Sequence, residues 1–175
     1  MYFWTRIYKL QKMKKIIFLA IVLLSIYGVK AQEFGAGISG GYLSELEGFG
    51  GSVDLISEIT EKWGVSATFT YAVADKSGVR SKWSIIDLNG RYKVIEELYL
   101  LVGGEYNSVN VKKLGLGGGD PLSTEITIKG SDFGVNVGTG YIYNIADNVN
   151  VFAEVKYVIS DLGYLHARLG LIFDF

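Results

Sequence analysis

The chain has 175 residues, with 17 Lys and Arg against 18 Asp and Glu, one proline and no cysteine, so disulfides, thiolate-bound metals and a cysteine-linked lipid anchor are excluded. Six of the basic residues (Arg6, Lys9, Lys12, Lys14, Lys15 and Lys30) and none of the acids lie in the first 31 positions. The remainder carries 11 basic against 18 acidic residues, which argues against a nucleic-acid partner, since that calls for clustered Lys and Arg.

The first predicted element is a leader. Ile16 to Val29 is apolar apart from one serine, with Lys12, Lys14 and Lys15 before it and Lys30-Ala31 after it. A membrane-spanning helix needs about 20 apolar residues, and this run is shorter. A basic start, a short apolar middle and a small residue at the cut predict a secretory signal peptide over 1–31, cleaved after Ala31. An uncleaved anchor is the alternative. Met13, followed by two lysines, has the character of a translation start, with residues 1–12 an extension. The remainder, 32–175, is expected to be one domain.

That domain holds 22 of the 23 glycines among many Val, Ile, Tyr and Phe, and no stretch has helical periodicity with caps. Eight segments alternate instead. Side chains alternate across a strand, so each segment has two faces. In Phe34 to Leu43 one face is Phe34, Ala36, Ile38, Gly40 and Tyr42. In Phe49 to Ser57 it is Phe49, Gly51, Val53 and Leu55. Trp63 to Val73 offers Val65, Ala67, Phe69, Tyr71 and Val73, and Trp83 to Lys93 offers Ser84, Ile86, Leu88, Gly90 and Tyr92. The fifth, Glu97 to Asn107, presents Leu98, Leu100, Val102, Gly104 and Tyr106. Ser131 to Tyr143 and Val149 to Ile159 continue the pattern with odd-numbered residues. The last, Tyr164 to Phe175, turns Leu165, Ala167, Leu169, Leu171, Phe173 and Phe175 one way and His166, Arg168, Gly170 and Asp174 the other.

None of the first faces contains a charge. A Lys or Arg on a lipid-facing strand position costs about 2–4 kcal/mol at the bilayer midplane, so such faces suit hydrocarbon. The predicted fold is all-β: an eight-stranded antiparallel up-and-down transmembrane β-barrel, preceded by a signal peptide. Alternation has the same period in a soluble barrel; the leader and the apolar last strand tip the reading toward the membrane. The second, fourth and sixth links (58–62, 94–96, 144–148) are short, as periplasmic turns are, and the fifth (108–130) is the longest. Aromatic residues near the strand ends, among them Tyr42, Trp63, Tyr92, Tyr106, Phe133 and Tyr143, predict two interfacial girdles.

The opposite faces carry Asp54, Asp87, Arg91, Glu105, Glu154, Lys156, His166 and Arg168. An eight-stranded barrel is just wide enough for side chains to fill it, and buried charges need partners, so these groups are expected to form a network that plugs the lumen.

These strands, with the ending Leu169-Gly-Leu-Ile-Phe-Asp-Phe175, resemble the small OmpA/OmpX-type outer-membrane β-barrel family. The resemblance is one of pattern over 32–175. It implies that Leu169, Leu171, Phe173 and Phe175 form a C-terminal assembly signal read by the barrel-assembly machinery, with periplasmic chaperones escorting the unfolded chain. It also implies outer-membrane lipid as surroundings and a non-enzymatic structural or surface-interaction role. A surface ligand is expected, if anywhere, on 108–130, with 74–82 contributing.

Other motifs carry less. Gly35-Ala-Gly-Ile-Ser-Gly40 fits a dinucleotide fingerprint but lacks the strand before and helix after it that the motif requires; small residues on a crowded interior explain Gly35, Gly37 and Gly41 better. Gly115 to Pro121, with Asp120 and Glu125 as its acids, is a poor calcium ligand set and reads as a loop. No cofactor is expected. His166 is the only histidine, and a lipid-modifying enzyme would have to use it, with Ser160 and Glu154 nearby in sequence. That enzyme, a soluble periplasmic barrel holding a small apolar ligand, and a narrow channel remain the alternatives.

Overall fold

The computed structural model describes residues 34–76, 79–113, 126–161 and 163–175. The expected leader and the Gly115 to Pro121 segment with Glu125 lie outside the described residues. The strands are β1 (Phe34–Leu43), β2 (Gly48–Glu58), β3 (Trp63–Lys76), β4 (Val79–Lys93), β5 (Leu98–Lys113), β6 (Ile126–Ala146), β7 (Val149–Ile159) and β8 (Tyr164–Asp174). They form a closed antiparallel barrel in sequence order. β8 returns to β1 with Gly35 opposite Asp174 and Leu43 opposite His166, and the Phe175 N–H donates to the Phe34 carbonyl at 2.8 Å. Closure leaves no sheet edge within the barrel wall, the condition for strands to stand in hydrocarbon.

The uncharged faces point outward. Ile38, Leu55, Phe69, Leu88, Val102, Val137 and Leu169 are exposed, whereas Asp54, Asp87, Glu105, Glu154, Lys156 and Arg168 are buried inside. A soluble barrel has the reverse order. At the end bearing the short turns, Trp63 packs on Tyr92 with ring centroids 4.8 Å apart; at the other end Tyr42 packs on Phe49 at 5.3 Å and Tyr106 on Phe133 at 4.9 Å. Phe133 and Tyr143 mark the two levels on one strand. At about 3.3 Å per residue and a tilt of about 40°, their spacing is roughly 25 Å, the height of an outer-membrane apolar band.

The strands differ in length. β1, β2, β7 and β8 have 10 or 11 residues, while β3, β4, β5 and β6 have 14, 15, 16 and 21. The link expected over 108–130 is therefore corrected: Ser108 to Lys113 and Ile126 to Gly130 are paired strand, with Lys113 opposite Ile126. Likewise Lys76 pairs with Val79, so most of 74–82 is strand. The cause is physical. Above the girdle the outward positions no longer meet lipid and turn polar, with Lys82, Asn110 and Lys129 side by side across β4, β5 and β6, while Val109, Val111 and Ile128 keep strand character. The result is a four-stranded ribbon projecting from one side of the barrel.

The opposite end is tight. In the β2–β3 turn the Thr60 hydroxyl accepts from the Trp63 N–H at 3.0 Å. The β6–β7 turn is Asp147-Asn148, with Asn148 at φ 63°, a left-handed conformation that asparagine tolerates better than most residues. A register shift between Asn144 and Ala146 bulges β6 just before it.

Candidate functional site

The lumen is layered along the barrel axis. All eight inward residues singled out in the sequence are buried there. Two ion-pair centres organise them. Lys156 Nζ lies 2.5 Å from Asp87 Oδ1 and 3.0 Å from Glu105 Oε2. Asp87 and Glu105 stand directly opposite each other on β4 and β5, a like-charge pairing that destabilises a sheet unless a cation bridges it. Lys156, from β7 across the lumen, is that cation. Asn136 Nδ2 donates to Asp87 and Asn89 at 2.8 and 2.9 Å, and the Tyr164 hydroxyl donates to Glu105.

The second centre is Arg168. Its Nε reaches Glu154 Oε1 at 2.7 Å and its Nη1 reaches Asp54 Oδ1 at 2.5 Å. Glu154 is its cross-strand neighbour on β7. Asp54 is on β2, so this bond passes over β1. It can do so because the inward positions of β1 include Gly37, opposite Asp54, and Gly41, opposite Arg168. A Cβ at Gly41 would sit 2.9 Å from that of Arg168 and 2.8 Å from the Ala167 carbonyl. Thr68 donates to Asp54 at 2.7 Å, and Tyr99 donates to Glu154 at 2.6 Å.

Two of the eight are not paired. Arg91 lies with its guanidinium 3.8 Å over the Tyr99 ring and has no ion pair among the described residues. His166 is buried, with neither ring nitrogen hydrogen-bonded within the described residues, so it is not linked to Ser160 or Glu154.

Sequence reasoning missed the layer at the ribbon end. There Leu43, Leu46, Ala72, Trp83, Ile85, Val158 and Tyr164 form an apolar cluster inside the barrel, with Trp83 edge-on to Tyr164 at 5.3 Å. The signal was present: Leu43, Ala72, Trp83 and Ile85 occupy inward positions, and all lie at one end. At the turn end the lumen opens instead into a vestibule of about 370 Å³, lined by Arg91, Lys93, Glu58, Glu96, Glu97 and Asp174 among others. Lys93 pairs with Glu58 at 2.5 Å, and Asn150 donates to Asp174 at 2.5 Å.

On the outside, Leu169, Leu171, Phe173 and Phe175 share the outward face of β8. No cluster of three or more potential metal ligands occurs among the described residues.

No family model matches the sequence, and no curated protein does. Solved structures do. A major outer membrane protein from Thermus thermophilus superposes with a TM-score of 0.70 at 17% identity, over 83% of this chain and 100% of that one. Neisserial surface protein A gives 0.55 at 14%, over 82% and 97%, and the N-terminal β-barrel domain of Pseudomonas aeruginosa OprF gives 0.53 at 14%, over the same shares. With its belt of outward apolar residues, closed eight-stranded sheet and charged interior, the chain has the architecture of a small outer-membrane β-barrel.

Proposed function

We propose that this is a non-enzymatic outer-membrane barrel of the small OmpA/OmpX kind, closed to solute passage, which reinforces the envelope or presents its projecting ribbon at the cell surface. The observation that carries the reading is the occupied lumen: two ion-pair centres beneath an apolar cluster, with Arg168 and Lys156 each tied to two carboxylates. Side chains held by several bonds across a barrel of this size leave no continuous water path. The ribbon then lies outside the cell and the short turns in the periplasm, so any surface ligand contacts β3–β6 and the 114–125 connection. Outer-membrane lipid surrounds the belt, and the outward apolar face of β8, ending in Phe175, serves as the signal to the assembly machinery and its chaperones.

Reconstitution in planar bilayers tests the closure: no discrete conductance is expected, and steady unitary openings would overturn it. Replacing residues 109–128 with a short turn tests the ribbon's role. The variant is expected to keep the heat-dependent gel shift of a folded barrel and to reach the outer membrane. Failure to fold would make the ribbon part of the scaffold instead of a presented surface.

A further inference from the structure

The vestibule at the turn end has a charge arrangement that the ion-pair network does not use. Its floor holds Arg91, a cation that is 7% exposed, packed on the Tyr99 ring and without an ion pair among the described residues. A buried guanidinium normally faces a carboxylate or phosphate, because taking a charge out of water is costly without a partner. The nearby anions make their direct contacts elsewhere: Glu154, which acts on Arg91 only through space, bonds Arg168 and Tyr99, Glu58 pairs with Lys93, and Asp174 accepts from Asn150. On the rim, the turn joining β4 to β5 supplies Glu96 and Glu97, whose carboxylates make no hydrogen bond or ion pair among the described residues. Ile56, Ile142 and Ile172 complete the wall.

We propose that this vestibule binds a small zwitterion, a free amino acid or short peptide, with its carboxylate on Arg91 and its ammonium between Glu96 and Glu97. A simple anion would meet the two unpaired rim carboxylates, and a simple cation would meet the unpaired guanidinium. A ligand carrying both signs satisfies each. The volume, about 370 Å³, is at the small end of the usual range of about 300–1000 Å³ for ligand pockets, which suits a dipeptide and not a lipid. The isoleucines suit an aliphatic side chain.

The test is amide NMR of the folded barrel in lipid nanodiscs, titrated with L-alanyl-L-alanine, its N-acetyl form, its C-terminal amide and inorganic phosphate. The free dipeptide is expected to shift Arg91 and residues 94–97 saturably, with each blocked form about tenfold weaker or worse, the loss of one charge-assisted contact. Arg91→Met is expected to abolish the shifts. Should that variant fail to show the heat-dependent gel shift, the rim pair Glu96→Gln/Glu97→Gln decides, with an expected weakening of about tenfold. No saturable shift with the dipeptide, or equal binding by the N-acetyl form or phosphate, would overturn the proposal, as would unchanged binding in the Glu96→Gln/Glu97→Gln variant.

Discussion

Lys156 is the side chain on which one of the two ion-pair centres depends. It neutralises two carboxylates that the β4–β5 register forces together, with Asp87 Oδ1 at 2.5 Å and Glu105 Oε2 at 3.0 Å. Lys156→Met keeps much of the volume and removes the charge, leaving two buried carboxyl groups face to face without a cation. Breaking a buried pair in this way costs about 3–5 kcal/mol, to be read as a lower urea midpoint for unfolding from lipid vesicles. Restoring neutrality with Asp87→Asn and Glu105→Gln in the same chain is expected to recover most of the loss. Gly41 is the second sensitive position. Gly41→Val drives a side chain into the Ala167 carbonyl and Arg168 and is expected to cost about 1–3 kcal/mol in the same assay, whereas Gly40→Val, where a Cβ would meet nothing closer than 4.0 Å, should be nearly neutral. Individual residues were legible in the sequence as inward or outward, because a strand's period is two. Their partners were not: which inward charges meet depends on strand stagger, and Arg168 meeting Asp54 across β1 has no sequence signature.

At the scale of the element, the eight strands could be read wherever lipid imposed its pattern. β1 and β7 have the bounds expected from the sequence. β3–β6 run further because the pattern that defined them stops at the membrane boundary while the hydrogen-bonded ladder continues. The lipid face gives a direct test through depth. Leu169→Arg, at the middle of β8, is expected to destabilise by about 2–4 kcal/mol, and Phe133→Lys, at the girdle, by about 0–1 kcal/mol. Equal costs at the two positions would contradict the assignment of the belt. If the outward face of β8 is the assembly signal proposed above, removing the ring at its end (Phe175→Ala) is expected to lower the fraction of protein recovered as folded outer-membrane barrel in cells, with little effect on refolding from urea into detergent.

At the scale of the barrel as a whole, the interior differs from end to end: apolar cluster, charged middle, open vestibule. Alternation told of a barrel with a polar interior; the apolar layer was legible only as separate inward residues, because Leu43, Ala72, Trp83 and Ile85 come from three strands and meet only when the sheet closes. The vestibule was hidden for the same reason. Its Arg91 belongs to β4, Glu96 and Glu97 to the following turn, and its isoleucines to β2, β6 and β8.

The bond from Arg168 to Asp54 has a consequence for how the chain matures. It joins the last strand to the second across β1, so it is absent from any sheet in which β8 has not yet paired with β1, the pairing that closes a sheet built in sequence order. Until then Arg168 has only its cross-strand neighbour Glu154, and Asp54 lacks its cation. The bond thus reports completion: the molecule becomes compatible with hydrocarbon in the same event that joins its two ends.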